Sequence, residues 1–355
     1  MTLVLDGSEG EGGGQILRTA LSLSLITGRP FEIQNVRANR KPSGLRPQHL
    51  ACVRGAEVIS GGRAEGAEVG ASALRFEPGE VKTGDYLLEV GTAGSTPLLF
   101  QCLFYPLALA GGGRLTLRGG THLPHSPIHP YLTAVWLPAL ARYGLTADLQ
   151  LKAAGFYPQG GGELRGEVAA PAQAPLVVQI SSRGTLHDAD VASFVSGLPF
   201  EIAERQAAAA QAALQKKGVY STAENIPLPS RHSKGTAVFI RATFERSVAG
   251  FSALGERGKP AEEVGREAAA QLAEFMASGG AIDEHLGDQI LLPAALLSAG
   301  RLGGGRKGVT SFTTARITDH LTTNASVVQR FLEEVEIRVD PSGAVAVVPK
   351  GVTAP

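Results

Sequence analysis

The sequence contains few cysteines, no excess of charge and no long apolar run. Only Cys52 and Cys102 occur among its 355 residues, so a disulfide framework does not hold this fold together. The 33 basic and 33 acidic side chains cancel. This balance argues against a protein that coats nucleic acid along its length, but it leaves one that grips a single end. Residues 97–110, the most apolar stretch, fall well short of a bilayer crossing, and residues 1–6 do not resemble a signal peptide. We therefore expect a cytoplasmic protein with no membrane partner.

Glycine is abundant, yet it follows no Gly-X-Y period. The 45 glycines therefore do not indicate a collagen-like fibre. Hydrophobic residues make up 43 % of the chain, which excludes intrinsic disorder and allows a packed core. A chain of 355 residues is longer than single hydrophobic cores usually become, so about two domains are expected.

Hydrophobic periodicity predicts the same order of elements three times, with first strands beginning near residues 3, 86 and 176. The predicted fold class is α/β (α+β): three repeated β-α-β-α-β-β units form a large domain, and a small α/β domain is inserted into the third unit. The predicted boundaries give a large domain of residues 1–183 and 281–355 and an inserted domain of residues 184–280.

Within the inserted domain the pattern predicts helices at 199–215 and 260–277 and one strand at 236–244. After the insertion, the third unit is predicted to continue with helices at 288–299 and 323–332. These two helices place the polar segments 285–289 and 318–324 at helix starts.

A glycine-rich loop, residues 6–15, joins the first strand to the first helix. Backbone N–H groups of such a loop, together with the helix dipole, can bind a phosphate. The loop is neither a P-loop nor a dinucleotide fingerprint, because it lacks both patterns. Glu9 and Glu11 suggest that a divalent cation would lie between them and an anion, and Arg18, one turn later, favours phosphate. A flexible turn with solvated acids is the alternative.

Residues 29–54 carry six basic side chains and one acidic side chain, Glu32. Arg37 and Arg40 lie between a predicted strand and a predicted helix, where guanidinium groups can converge on one anion. A solvated basic loop is the alternative. The neighbouring glycine-rich loop and Arg18 favour a cleft that grips phosphate.

His320 lies just before a predicted helix, in a loop expected on the same side as the glycine-rich loop. A neutral imidazole is a competent nucleophile towards phosphorus, and a neighbouring acid can set its tautomer. The alternative is a helix-capping cluster with Asp319 or Thr322 as the cap. Segment 285–289 has a similar alternative, a helix start capped by Asp288.

Two further patterns favour structural roles. His122, His125 and His129 have spacings that suggest a metal site, but interleaved prolines break any helix that would align them. Residues 155–164 offer no obvious nucleophile or base, so we expect close backbone packing or a bulge there.

Four stretches together resemble the RNA 3′-terminal phosphate cyclases: residues 6–18, 155–162, 285–289 and 320–324. They occur in the order and at the spacing of that family, and the likeness runs from about residue 3 to 340. The resemblance implies the fold described above and a ligase-type nucleotidyl-transfer enzyme that acts in RNA processing. The implied substrates are ATP and an RNA 3′-phosphate end, and a divalent cation, Mg²⁺ or Mn²⁺, is the implied cofactor.

The resemblance also implies a reaction in three steps. The histidine at position 320 attacks the α-phosphorus of ATP, and pyrophosphate leaves. The AMP then passes to the RNA 3′-phosphate, forming an RNA-(3′)pp(5′)A end. Finally the vicinal 2′-OH attacks, which releases AMP and leaves a 2′,3′-cyclic phosphate.

Site residues carry over by position. Glu11 looks like the metal-associated acid of the family, and the residues implied to bind phosphates are Arg18, Arg37, Arg40 and Gln48. The residues implied for the nucleotide pocket are Gln101, Pro127, His285, Leu286, Gly287, Asp288 and Gln289. Some family members have Tyr at the position of His285; both rings can stack on adenine. A homodimer is a further expectation.

Two other protein classes share parts of this pattern. A non-catalytic relative that acts in ribosome assembly has the same fold, but His320, Glu11, Arg37 and Arg40 speak against that assignment. Enolpyruvyl transferases are built from similar repeated units, but six such units need a longer chain than this one.

Overall fold

The computed structural model describes residues 2–10, 13–302 and 304–352, and the strands in these residues form four sheets of four strands each. The first sheet and its helices comprise β1 (Leu3–Asp6), α1 (Gln15–Thr27), β2 (Phe31–Gln34), α2 (Pro47–Ser60), β3 (Arg63–Glu65) and β4 (Leu74–Glu77). Both helices end at a glycine with positive φ, Gly28 (71°) and Gly61 (69°), because a residue without Cβ adopts this conformation at little cost.

The second sheet follows directly along the chain. Its elements are β5 (Asp85–Glu89), α3 (Thr96–Leu109), β6 (Gly112–Gly119), α4 (His129–Tyr131), a π-helical turn (Leu132–Trp136), α5 (Leu137–Ala141), β7 (Ala147–Ala153) and β8 (Gly162–Ala169). The helical segment from α4 to α5 is thus interrupted by a π-helical turn, whose last bond runs from the Leu137 amide to the Leu132 carbonyl.

The rest of the chain forms the inserted segment and the third sheet. Its elements are β9 (Val177–Ile180), β10 (Leu186–Ser196), α6 (Glu201–Gln215), β11 (Thr222–Pro227), β12 (Gly235–Phe244), β13 (Val248–Leu254), α7 (Ala261–Ala277), α8 (Glu284–Gln289), α9 (Leu291–Ser298), β14 (Val309–Thr313), α10 (Asp319–Phe331), β15 (Val335–Val339) and β16 (Ala344–Pro349).

Three of the sheets have one strand order. It is β1-β2-β4-β3 in the first, β5-β6-β8-β7 in the second and β9-β14-β16-β15 in the third. In each, the first pair is parallel and the other two pairs are antiparallel. The mixed α/β fold class is confirmed.

The main core lies where helices of different sheets meet. Helix α1 packs against α2, α3 and α10, and its Leu21 and Leu23 are completely buried. This arrangement brings the N-terminal ends of α1 and α10 together, although they are about 300 residues apart in sequence.

The inserted segment forms its own sheet, in the order β11-β10-β12-β13. One face packs against α6 and α7 around Val238, Ile240 and Leu272, while Phe194 and Phe239 join the main core. The prediction of a single strand in this stretch was wrong: β10, β11 and β13 are also strands. β10 begins at Leu186, just after the predicted boundary, and it pairs with β12 over most of its length.

Both ends of the inserted segment meet at Thr313, the last residue of β14. The Thr313 hydroxyl donates to the Ser181 carbonyl over 3.2 Å, and the Ala281 amide donates to the Thr313 carbonyl over 2.9 Å. The domain boundaries at 184 and 280 stay a prediction.

Two predicted helices of the third unit begin or break elsewhere. The predicted helix 288–299 is two helices, because Pro293 has no N–H to donate to the Gln289 carbonyl. Helix α10 starts at Asp319 rather than near 323. Among the helices that the structure describes, none has the length and apolarity that a membrane crossing requires.

Arg183 anchors the start of the inserted segment to its end. Its guanidinium donates to the carbonyls of Met276 and Ser278 over 2.8 Å each, and lies 4.7 Å from the centroid of the Phe275 ring. We expect Arg183→Ala to lower the free energy of unfolding by about 2 kcal/mol, because it removes charged hydrogen bonds and a cation–π contact together.

Urea denaturation measures this change. The matched control is Arg205→Ala, which removes an exposed ion pair with Glu262 and should leave the free energy of unfolding close to that of the wild type. Equal losses in the two variants would show that Arg183 is no more than another surface arginine.

Candidate active site

His320 lies in the first turn of α10, at the wall of a large cavity. Thr318 caps the helix: it has extended backbone angles, and its hydroxyl accepts from the Leu321 amide over 3.1 Å. Neither Asp319 nor Thr322 is the cap, so these alternatives were wrong. The prediction that His320 lies in a loop before the helix was also wrong. The helix begins one turn earlier because Thr318 satisfies its first free amides.

The ring of His320 is oriented by Gln15, the first residue of α1. His320 Nδ1 lies 2.5 Å from Gln15 Oε1. An amide oxygen only accepts, so Nδ1 is the ring nitrogen that carries the proton. In that neutral tautomer the ring lone pair is on Nε2, which makes Nε2 the nucleophilic atom.

Asp288 in turn fixes the orientation of the Gln15 amide. Gln15 Nε2 donates to Asp288 Oδ2 over 2.5 Å, which directs Oε1 towards His320. Helices α10, α1 and α8 are thereby joined by a hydrogen-bond chain of three side chains. A second chain reinforces it: Asn324 donates to the Asp288 carbonyl and accepts from the Thr19 hydroxyl.

Asp288 is buried inside α8 and does not cap it. The cap is Asp283, whose Oδ1 accepts from the His285 and Leu286 amides over 3.1 and 2.9 Å. Burial raises the pKa of Asp288 from 3.8 to about 7, against the opposing effects of His285, the Gln15 hydrogen bond and Arg18. The carboxyl therefore titrates close to neutral pH.

The cavity has a volume of about 1080 Å³ and holds part of the predicted nucleotide pocket. The predicted residues that line it are Gln101, Pro127, His285, Asp288 and Gln289. Gln101 Nε2 donates to Gln289 Oε1 over 2.8 Å, which ties α3 to α8. Leu286 and Gly287 do not line the cavity; they lie on the buried side of α8. Residues 250–254 of β13 also line it, so the inserted sheet contributes to the same cavity.

Arginines gather beside the N-terminus of α1. Arg18 lines the cavity. The pKa of Arg37 is lowered by burial and then by the charges of Arg46 and Arg40. These groups are close enough to repel one another, and an anion bound among them would relieve that repulsion.

His49 packs inside this cluster. It is 2 % exposed, and its Nδ1 accepts from the Arg46 amide over 3.0 Å. Burial, followed by the charges of Arg18, Arg37 and Arg46, lowers its pKa to about 3. His49 is therefore neutral at physiological pH, which agrees with a structural role.

The other predicted phosphate-site residues, Arg37, Arg40 and Gln48, do not line the cavity. Gln48 packs against Gly94: a Cβ on this glycine would lie 2.9 Å from the Cβ of Gln48. Glu9 pairs with Arg330 over 2.6 Å, so its carboxylate is held by a cation of the protein. Glu11, the predicted metal-associated acid, lies outside the described residues.

Gln15 was missed as a site residue. Its only signal in the sequence is its place directly after the glycines of residues 12–14, at the start of a helix whose N-terminus was already predicted to face phosphate. Its bond to His320 spans 305 positions of the chain, and no local pattern can show such a contact.

Two patterns for which the sequence favoured structural roles, the histidines at 122 and 129 and the glycines of residues 155–162, lie in packed regions. His122 stacks on Phe156 at 4.8 Å, and His129 Nε2 lies 3.1 Å from the Leu149 carbonyl. Close backbone packing at 155–162 is confirmed: a Cβ on Gly155 would lie 2.5 Å from the Gly119 carbonyl oxygen.

We expect the buried Asp288 carboxyl to make stability depend on pH. Its pKa in the folded protein is about 7, above the value near 3.9 of an unfolded chain, so the folded state holds the proton more tightly. Between these two values the wild type should lose stability as pH rises, by up to roughly 1.4 kcal/mol per pH unit relative to Asp288→Asn. Urea denaturation of both proteins at several pH values measures the difference. Parallel pH profiles would contradict the assignment.

Comparison with known proteins identifies the family. Residues 9–339 match the family described as RNA 3′-terminal phosphate cyclase. The chain is 44 % identical over 353 residues to a protein of that name from Methylococcus capsulatus, covering 97 % of this chain and 95 % of the relative. It is 40 % identical to another from Caldivirga maquilingensis, with 99 % of each chain covered. A third, from Salmonella typhimurium, is 38 % identical with 93 % of each chain covered. This chain therefore belongs to the RNA 3′-terminal phosphate cyclase family.

Proposed function

We propose that this chain converts an RNA 3′-terminal phosphate to a 2′,3′-cyclic phosphate at the expense of ATP, through a covalent histidine–AMP intermediate. The observation that carries the proposal is the hydrogen-bond chain from His320 through Gln15 to Asp288. It prepares one imidazole nitrogen for attack at the wall of a cavity that is also lined by Arg18 and by five residues of the proposed nucleotide pocket.

In the first step the lone pair of His320 Nε2 attacks the α-phosphorus of ATP. A phosphorus–nitrogen bond forms, the bond to the bridging oxygen breaks, and pyrophosphate leaves. The imidazole gains positive charge while Nδ1 keeps its proton. Gln15 Oε1 accepts a hydrogen bond from the Nδ1 proton. The Asp288 carboxylate, which is bonded to the Gln15 amide, stabilises the positive charge that develops on the imidazole.

In the second step an oxygen of the RNA 3′-phosphate attacks the phosphorus held on His320. The phosphorus–nitrogen bond breaks, its electron pair returns to Nε2, and AMP is now joined to the RNA end. The neighbouring 2′-hydroxyl then attacks the RNA phosphorus, loses its proton and expels AMP. Because nucleophile and phosphate belong to one nucleotide, proximity supplies much of the rate of this last step.

The arginine cluster supplies the charge that these steps need. Arg18, Arg37 and Arg40 would neutralise the charge of phosphate oxygens. Gln48, in the first turn of α2, would donate a hydrogen bond to a phosphate oxygen. Glu11 would hold a divalent cation, Mg²⁺ or Mn²⁺, which neutralises the phosphate groups of ATP when bound.

The nucleotide pocket would place adenine between Pro127 and His285. Both residues line the cavity, and the side chain of His285 is 66 % exposed and so accessible for stacking. The Gln101–Gln289 pair offers amide groups to the base edge. The cytoplasmic location, the homodimer and the division into a large and an inserted domain stay predictions.

Labelling with ATP carrying ³²P in the α-phosphate tests the nucleophile. We expect the wild type, with Mg²⁺ or Mn²⁺, to retain an acid-labile label, and His320→Ala to retain none. The matched control is His187→Ala, which removes an exposed histidine of β10 and should label like the wild type. Label on His320→Ala would refute the assignment of the nucleophile, and an unlabelled wild type would favour a binding protein without catalysis.

Gln15→Leu tests the orienting hydrogen bond. Without the acceptor at Nδ1 the imidazole can adopt the other tautomer, so we expect adenylylation to slow by on the order of 10²-fold or more with little change in the KM for ATP. Gln101→Ala provides the contrast: it should raise the KM for ATP and leave the rate at saturation nearly unchanged. Single-turnover labelling over a range of ATP concentrations separates the two effects. A raised KM with normal rate in Gln15→Leu would place Gln15 in ATP binding instead.

A further inference from the structure

The surface at residues 155–162 has an exposed aromatic ring on a rigidly held loop. The Phe156 amide donates to the Ser233 hydroxyl over 2.6 Å, and the Phe156 ring packs so closely on Gly235 that a Cβ there would lie 2.2 Å from a ring atom. The next residue, Tyr157, is 70 % exposed. The loop backbone is therefore fixed, while the Tyr157 ring faces solvent.

Cations surround the base of this loop. Glu163, whose side chain is only 2 % exposed, accepts from Arg118, Arg165 and Arg231 at 3.1, 2.9 and 3.0 Å. Arg118 also pairs with Glu89. Three guanidinium groups thus share two carboxylates, which leaves the group positively charged. Because the buried carboxylate holds them from below, the guanidiniums stay ordered yet 39–57 % exposed.

The loop 228–234, which carries Arg231, adds one further positive charge, that of Lys234. Arg231 and Lys234 are both exposed, and the loop contains no acidic residue. The Ala154 amide donates to the Pro229 carbonyl over 2.6 Å, so this loop and the Tyr157 loop are bonded side by side.

The same surface connects to the phosphate site. A Cβ on Gly160 would lie 2.9 Å from Ala93 Cα, and a Cβ on Gly94 would lie 2.9 Å from Gln48 Cβ. The Tyr157 loop therefore packs on residues 92–94, which in turn pack on Gln48. Two direct contacts separate the exposed ring from a residue of the proposed phosphate site.

We propose that Tyr157, Arg231 and Lys234 bind the single-stranded RNA that precedes the terminal 3′-phosphate; this binding site rests on the proposed function. An exposed ring among ordered cations suits single-stranded nucleic acid, because a base stacks on the ring and its phosphates meet the charges. Neither contact reads base identity, so the site takes RNA ends without strong sequence preference.

Direct binding tests the site without relying on catalysis. The probe is a ten-nucleotide RNA with a 3′-phosphate and a 5′-fluorescein, and its Kd is measured by fluorescence anisotropy. We expect Tyr157→Ala to raise the Kd about tenfold, as loss of a base–aromatic stack does. Tyr157→Phe keeps the ring and should bind like the wild type. Lys234→Ala should weaken binding and make the dependence of log Kd on log salt shallower by about 0.7.

Two matched controls exclude general surface effects. Tyr220→Ala removes a ring that is 83 % exposed, and Lys217→Ala removes an exposed lysine in the turn after α6; both should leave the Kd unchanged.

The outcomes separate this inference from the proposed function. An unchanged Kd in Tyr157→Ala and Lys234→Ala, or an equal loss in the Tyr220→Ala control, overturns the RNA-binding site whatever the labelling shows. A weakened Kd with normal adenylylation of His320 supports it. If the wild type takes up no label, the proposed function fails, while the anisotropy measurements still decide whether RNA lies on Tyr157.

Discussion

The half-buried hydrogen-bond chain from His320 through Gln15 to Asp288 is the interaction on which the rest of the site depends. Its three members begin helix α10, begin helix α1 and end helix α8. A shift of any of these helices by the length of one hydrogen bond would break it. The close packing of α1 against α10, and the second chain through Asn324 and Thr19, resist such a shift.

The sequence predicted the fold where hydrophobic period and glycine position agree. Strand β8 alternates buried and exposed residues from Leu164 onwards, and α1 begins at the end of the glycine-rich loop that was predicted to lead into it. It failed in the inserted segment, because β11 carries polar residues on a partly exposed strand and looks like a loop. The prediction also failed at the end of α8. The helix breaks there because Pro293 has no N–H to donate to the Gln289 carbonyl.

The candidate site was predictable only as far as residue types reveal chemistry. A histidine, an arginine-rich loop and a glycine-rich loop indicated phosphate chemistry. Which groups meet was not predictable, because Gln15 and Asp288 lie 273 positions apart and their contact depends on tertiary packing. The same limit explains Glu9: its sequence context suggested a cation site, whereas folding brings Arg330 to it.

The meeting of both ends of the inserted segment at Thr313 has a thermodynamic consequence. A flexible loop of about 100 residues would cost about 4 kcal/mol to close. Here the inserted segment has a core of its own, around Ile240 and Leu272, and the hydrogen bonds of Arg183 join its start to its end. The inserted segment therefore adds little more to the free-energy cost of closing the third sheet than a short turn would. An addition of this kind can enlarge a cavity wall without weakening the sheet that hosts it.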